Sequence, residues 1–125
     1  MITEDYVSFE VAKLLKEKGF NEATYGTYSS EGDLSLTNPN INWNEKDLPF
    51  IAAPTLQITM KWLREVHHIF ISIDYARLAH NTFEYTYEVH NMDKGRSTII
   101  SKFRDDFETY EDAINEAIIK SLAYV

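Results

Sequence analysis

Residues 54–74 read PTLQITMKWLREVHHIFISID, from Pro54 to Asp74, and join an amphipathic helix to a β-strand with almost no linker. At about 100° per residue, Leu56, Ile58, Met60, Trp62, Leu63 and Val66 fill an arc of roughly 200°. Gln57, Lys61, Arg64, Glu65 and His68 take the remainder. A surface helix needs an apolar arc of only about 100°, so this one is expected to be covered on more than its underside, with the Trp62 side dry. Pro54 suits the first helical turn, where its missing N–H has no partner to lose. After His68 the period changes to two: Ile69, Ile71, Ile73 and Tyr75 alternate with Phe70, Ser72, Asp74 and Ala76, which predicts a half-buried strand.

Working outward, Phe83, Tyr85, Tyr87 and Val89 alternate with Glu84, Thr86, Glu88 and His90, the clearest strand pattern in the chain. A connection at 78–81, a turn at Asp93, Lys94 and Gly95, and the run STIISKF from Ser97 to Phe103 complete an antiparallel meander. Its wet face should carry Glu84 and Glu88. Thr109 with Asp112 three residues on resembles a capping box and starts a last helix. Its buried stripe is expected to be Tyr110, Ala113, Ile114, Ala117, Ile118, Ser121 and Leu122.

On the other side, Val7, Val11, Leu14 and Leu15 predict a first helix from about Glu4 to Lys18, with Thr3 or Ser8 as N-cap and Gly19 ending it. TYGTYS (24–29) and LSLT (34–37), around Glu31, Gly32 and Asp33, read as a hairpin. Residues 38–53, NPNINWNEKDLPFIAA, hold four asparagines and two prolines without a clear period. An irregular segment of that length is usually functional or disordered. Ile41, Trp43, Leu48, Phe50 and Ile51 argue for a loop pinned across the core, with Trp43 as its anchor.

At 125 residues the chain fits one domain, residues 1–125. An apolar share of 44% and a charged share of 26% exclude a wholly disordered or fibrous chain. A net charge of −8 disfavours polyanionic partners, so no direct nucleic-acid binding is expected. With no cysteine, disulfides and thiolate metal sites are absent. The first residues, MITEDYVSFEVAKLL, lack a basic region before an apolar core, and no apolar run approaches the roughly 18 residues of a membrane span. The expectation is a soluble cytoplasmic protein without membrane association.

Four histidines, His67, His68, His80 and His90, invite a metal reading. Their spacing matches no ligand motif, and His67 at the edge of the apolar arc reads as a packing residue. Asp105, Asp106, Glu108, Glu111, Asp112 and Glu116 form no calcium loop, and a helix start with its exposed face accounts for three of them. Lys61, Arg64 and His68 make a small positive patch, read as a solvated face or as a partner contact. Tyr25, Tyr28 and Trp43 could stack bases, but residues 21–53 hold one lysine and no arginine, so packing or a protein interface explains them better. No nucleophile motif or glycine-rich phosphate loop appears, and no cofactor is called for.

VSFEVAKLLKEKGF (7–20), APTLQITMKWLREVHHIFISI (53–73) and TYEDAINEAIIKSL (109–122) resemble segments of a group of short proteins from the genomes, prophages and mobile elements of gut anaerobes. Residues 21–53 match least. The resemblance implies a phage or mobile-element setting and carries over no catalytic residue.

The reading is an α+β domain ordered α-β-β-α-β-β-β-α, with helices on one face of a largely antiparallel sheet. Its expected function is non-enzymatic protein binding, to an unidentified partner or a second copy of itself, through Tyr25, Tyr28, Trp43, Lys61 and Arg64. One rival is an acidic DNA mimic that inhibits a DNA-binding protein. Another is a small enzyme using His67 or His90 with a nearby carboxylate.

Overall fold

A computed structural model describes residues 1–45, 49–77, 83–93 and 98–125, and the side chains of these except at 76, 77 and 100–106. The class is α+β, with three helices and two three-stranded antiparallel sheets among the described residues. The chain divides into two compact units, Met1–Ile58 and Thr59–Val125. Among the described residues no helix is long and apolar enough to cross a membrane.

The first unit opens with an extended segment, not a helix. Val7 N–H donates to the Pro54 carbonyl at 3.0 Å and Leu56 N–H to the Asp5 carbonyl at 2.9 Å, with Tyr6 opposite Thr55. Helix α1 (Phe9–Glu17) starts only at Ser8, whose hydroxyl accepts from Val11 N–H. The start expected at Glu4 fails because residues 5–7 spend their backbone groups on the 54–56 segment. At the other end Gly19 adopts φ 91° and Phe20 N–H returns to the Leu15 carbonyl, burying the Phe20 ring.

Strand β1 (Thr27–Ser29) pairs with β2 (Leu34–Ser35) as the expected hairpin, Gly32 at φ 88° turning the corner. On its other side β1 pairs with β3 (Phe50–Ala52), a strand inside the segment read as irregular. The sheet order is β2-β1-β3. The rest of that segment is held by Trp43, as expected, and also by polar side chains. Asn44 donates to the Phe20 carbonyl and accepts from Ala52 N–H, both at 3.0 Å. Leu48 lies outside the described residues.

Helix α2 (Leu56–His67) begins in the first unit and ends in the second. Thr55 caps it, its hydroxyl accepting from Ile58 N–H, so Pro54 precedes the helix. His68 closes it at φ 57°, a left-handed position uncommon for a residue with a side chain. Leu56, Thr59, Met60, Trp62 and Leu63 are buried, whereas Ile58 and Val66 are exposed. The dry arc is thus about 160° wide, centred near Thr59 and Leu63. The expected width of 200° included Ile58, on the flank, and Val66, in the last turn.

The second unit is the meander. Strands β4 (Ile69–Arg77), β5 (Phe83–Asn91) and β6 (Thr98–Phe107) lie in the order β4-β5-β6. The register between β4 and β5 is unbroken, Ile69 opposite Asn91 through Arg77 opposite Phe83. Between β5 and β6 it shifts twice. Helix α3 (Tyr110–Leu122), capped by Thr109 as expected, packs on all three strands. Its stripe is buried throughout except at Tyr110, with Ala113 and Ala117 fully covered. Ile71, Tyr87 and Val89 are buried on the sheet, while Glu84 and Glu88 point to its other side. One sheet was expected, and two form because β1 finds its second partner in β3. The 78–81 connection with His80, and Lys94 and Gly95, lie outside the described residues.

Candidate functional site

At the end of the second unit where β4 finishes and β5 starts lie two pairs of aromatic rings. Met92 N–H donates to the His68 carbonyl just beyond the strand ends, so even-numbered residues of β4 form the hydrogen-bonded pairs with β5. Tyr75 and Tyr85 are therefore a non-hydrogen-bonded pair, the arrangement that brings side chains closest. Phe83 sits diagonally from Tyr75, their ring centroids 5.8 Å apart and tilted at 62°. Tyr110, the first residue of α3, packs edge-on against Tyr85 at 5.9 Å and 82°.

Phe83 with Tyr75, and Tyr85 with Tyr110, are thus two edge-on ring pairs at neighbouring positions of the β4–β5 ladder. Edge-to-face contacts at these distances are favourable for aromatic pairs beyond the area they bury.

These rings stand on the α3 side of the sheet, yet Tyr75 is 63% exposed, Phe83 47% and Tyr110 38%. Length explains it. A nine-residue strand such as β4 spans about 30 Å, and the thirteen residues of α3 span about 20 Å. The helix covers Ile71, Val89 and Tyr87 and begins beside Tyr85, leaving the hairpin end of the face bare. That mismatch could be read from the two patterns in the sequence, and the alternation alone did not show it.

The surroundings are acidic. Glu108, Glu111 and Asp112 flank Tyr110 at the start of α3. Glu108 and Asp112 are exposed and Glu111 is half-buried.

The residues singled out from the sequence fall elsewhere. Trp43 is 8% exposed, its indole N–H donating to the carbonyls of Thr24 and Pro39 at 3.1 Å, with Phe50 against its ring at 5.8 Å. Tyr28 is also buried. Its hydroxyl donates to the Val7 carbonyl, its ring packs on Phe9 at 5.4 Å, and burial raises its pKa above the usual 10.0. Tyr25 is exposed, on a cleft of about 260 Å³ lined by Tyr6, Thr24, Gly26, Asn40, Pro54 and Ile58 among others. Lys61 is exposed and Arg64 half-buried on the part of α2 that belongs to the second unit.

His67 stacks edge-on against Trp62 at 4.6 Å, and burial, then the neighbouring His68, hold its pKa below 6.5. His90 does meet a carboxylate: its Nε2 lies 3.0 Å from Glu88 Oε2. Both belong to one strand, on the sheet face away from α3, with Ser72 opposite Glu88 in register. The Tyr25 cleft, and a second of about 420 Å³ at the β1–β2 hairpin, are lined by other residues. Among the described residues no group of three or more histidines and acids is placed to hold a metal ion.

Comparisons with protein families, with curated proteins and with solved structures found no match for this chain.

Proposed function

We propose that the protein acts by binding another protein, without catalysis, through the ring-bearing end of its second unit. The observation that supports this is the two edge-on ring pairs, Phe83 with Tyr75 and Tyr85 with Tyr110, three of whose four members are exposed. Folded proteins rarely leave contiguous large apolar groups in water unless something covers them. Tyrosine and phenylalanine are enriched at the centres of protein interfaces, where they bury much area at low entropic cost. We further propose a phage or mobile-element setting, which places the partner in a bacterial host.

The test is capture of partners from such a host by the wild-type chain and by a Tyr75→Ser, Phe83→Ser variant, with Tyr25→Ser as a control in the first unit. A partner lost only with the ring variant supports the reading. Partners that the ring variant retains in full would refute it. The DNA-mimic reading makes a different demand: capture that ignores the rings and falls only when carboxylates are neutralised.

A further inference from the structure

We infer that the occupant of this surface is a basic, arginine-bearing segment of the partner protein, an inference that rests on the protein-binding reading above. The rings and their electrostatic setting point the same way. Edge-to-face packing turns one ring's rim toward its neighbour and leaves other π-faces open, and a guanidinium stacks on such a face. Among the described residues a lysine caps a ring at one place, Lys13 over Phe9 in the first unit. No described side chain plays that part on Tyr75, Phe83 or Tyr110.

Charge then discriminates among occupants. The carboxylates of Glu108, Glu111 and Asp112 repel nucleic acid and anionic lipid. A second copy placed ring face to ring face would oppose two surfaces of the same sign. A neutral apolar partner would desolvate Glu108, Glu111 and Asp112 without compensation. An arginine-bearing segment stacks on the rings and pairs with these carboxylates at once.

Fluorescence anisotropy with labelled peptides tests this on the full chain. One peptide alternates arginine with serine, a second carries lysine in place of arginine, and a third glutamate. Arginine is expected to bind best, lysine more weakly and glutamate not at all. Amide shift changes should centre on residues 74–75, 83–85 and 108–112. Tyr75→Ser with Phe83→Ser should weaken the arginine peptide about tenfold. Glu111→Gln with Asp112→Asn should weaken it about threefold and flatten its salt dependence.

Both variants change exposed or half-exposed side chains, and thermal melting checks that each is folded. The inference is overturned if arginine and lysine peptides bind alike and respond only to the carboxylate changes, or if the shifts map elsewhere. It is also overturned if no basic peptide binds while capture of the native partner still depends on the rings. In that last case protein binding stands and the partner's chemistry is wrong. Capture that ignores the rings removes both.

Discussion

The two units use the same residue types for opposite ends. In the first, Trp43 and Tyr28 are turned inward and their polar atoms are satisfied by carbonyls far away in sequence: Thr24 for Trp43, Val7 for Tyr28. In the second, Tyr75 and Phe83 are turned outward and touch each other and the solvent. An aromatic ring contributes to stability where it excludes water and closes its hydrogen bonds, and is available for recognition where it does neither. Exposure, and not residue type, separates scaffold from surface here.

Substitutions can break that contrast. The largest effect is expected from Trp43→Ala, which empties a core site and leaves the Thr24 and Pro39 carbonyls without their donor. A loss of about 3–5 kcal/mol in denaturant unfolding is expected, and a loss below about 1 kcal/mol would mean that Trp43 is no anchor. Tyr28→Phe keeps the ring and removes one buried donor, so about 1–2 kcal/mol should go. Tyr75→Ser with Phe83→Ser should leave stability within about 1 kcal/mol, because neither ring is enclosed. A large drop in its melting temperature would show these rings to be structural and erase the contrast.

The smallest effect concerns His67. Because its folded pKa lies below 6.5, the folded chain takes up that proton less readily than the unfolded one. Its stabilising contribution is complete above pH 6.5 and is lost as pH falls below it. His67→Gln should flatten stability over that window, as followed by thermal melts at stepped pH.

What the sequence disclosed depended on how far away the deciding contact lay. Thr109 and its cap, the alternation in β4 and β5, and the hairpin about Gly32 are local, and they form as expected. The first helix was read too long because Val7 fits a helical stripe. Its burial comes instead from an extended segment paired with residues 54–56. Strand β3 has three residues, too few to show a period of two, and its partner β1 is more than twenty positions upstream. Trp43 could be read as an anchor because it is the largest of the apolar residues in a stretch rich in asparagine. Whether Tyr28 or Tyr75 faced water could not be settled by neighbours in sequence. The first is decided by Val7, and the second by where α3 begins.

Gly26 shows how tightly the first unit is drawn together. A β-carbon there would stand 2.5 Å from the Ala53 carbonyl oxygen and 3.2 Å from the Tyr6 ring. The backbone at 26, the leading segment at 5–7 and the stretch at 53–56 thus converge on one crossing, stitched by the Val7, Leu56 and Ala53 amides. That crossing closes a circuit of about fifty residues, at an entropic cost of about 3 kcal/mol that no shorter-range contact can recover. Residues 1–52 alone therefore lack the clasp that holds them. During synthesis the first unit has to wait for Leu56 to emerge before it can lock, however early its hairpin and first helix have formed.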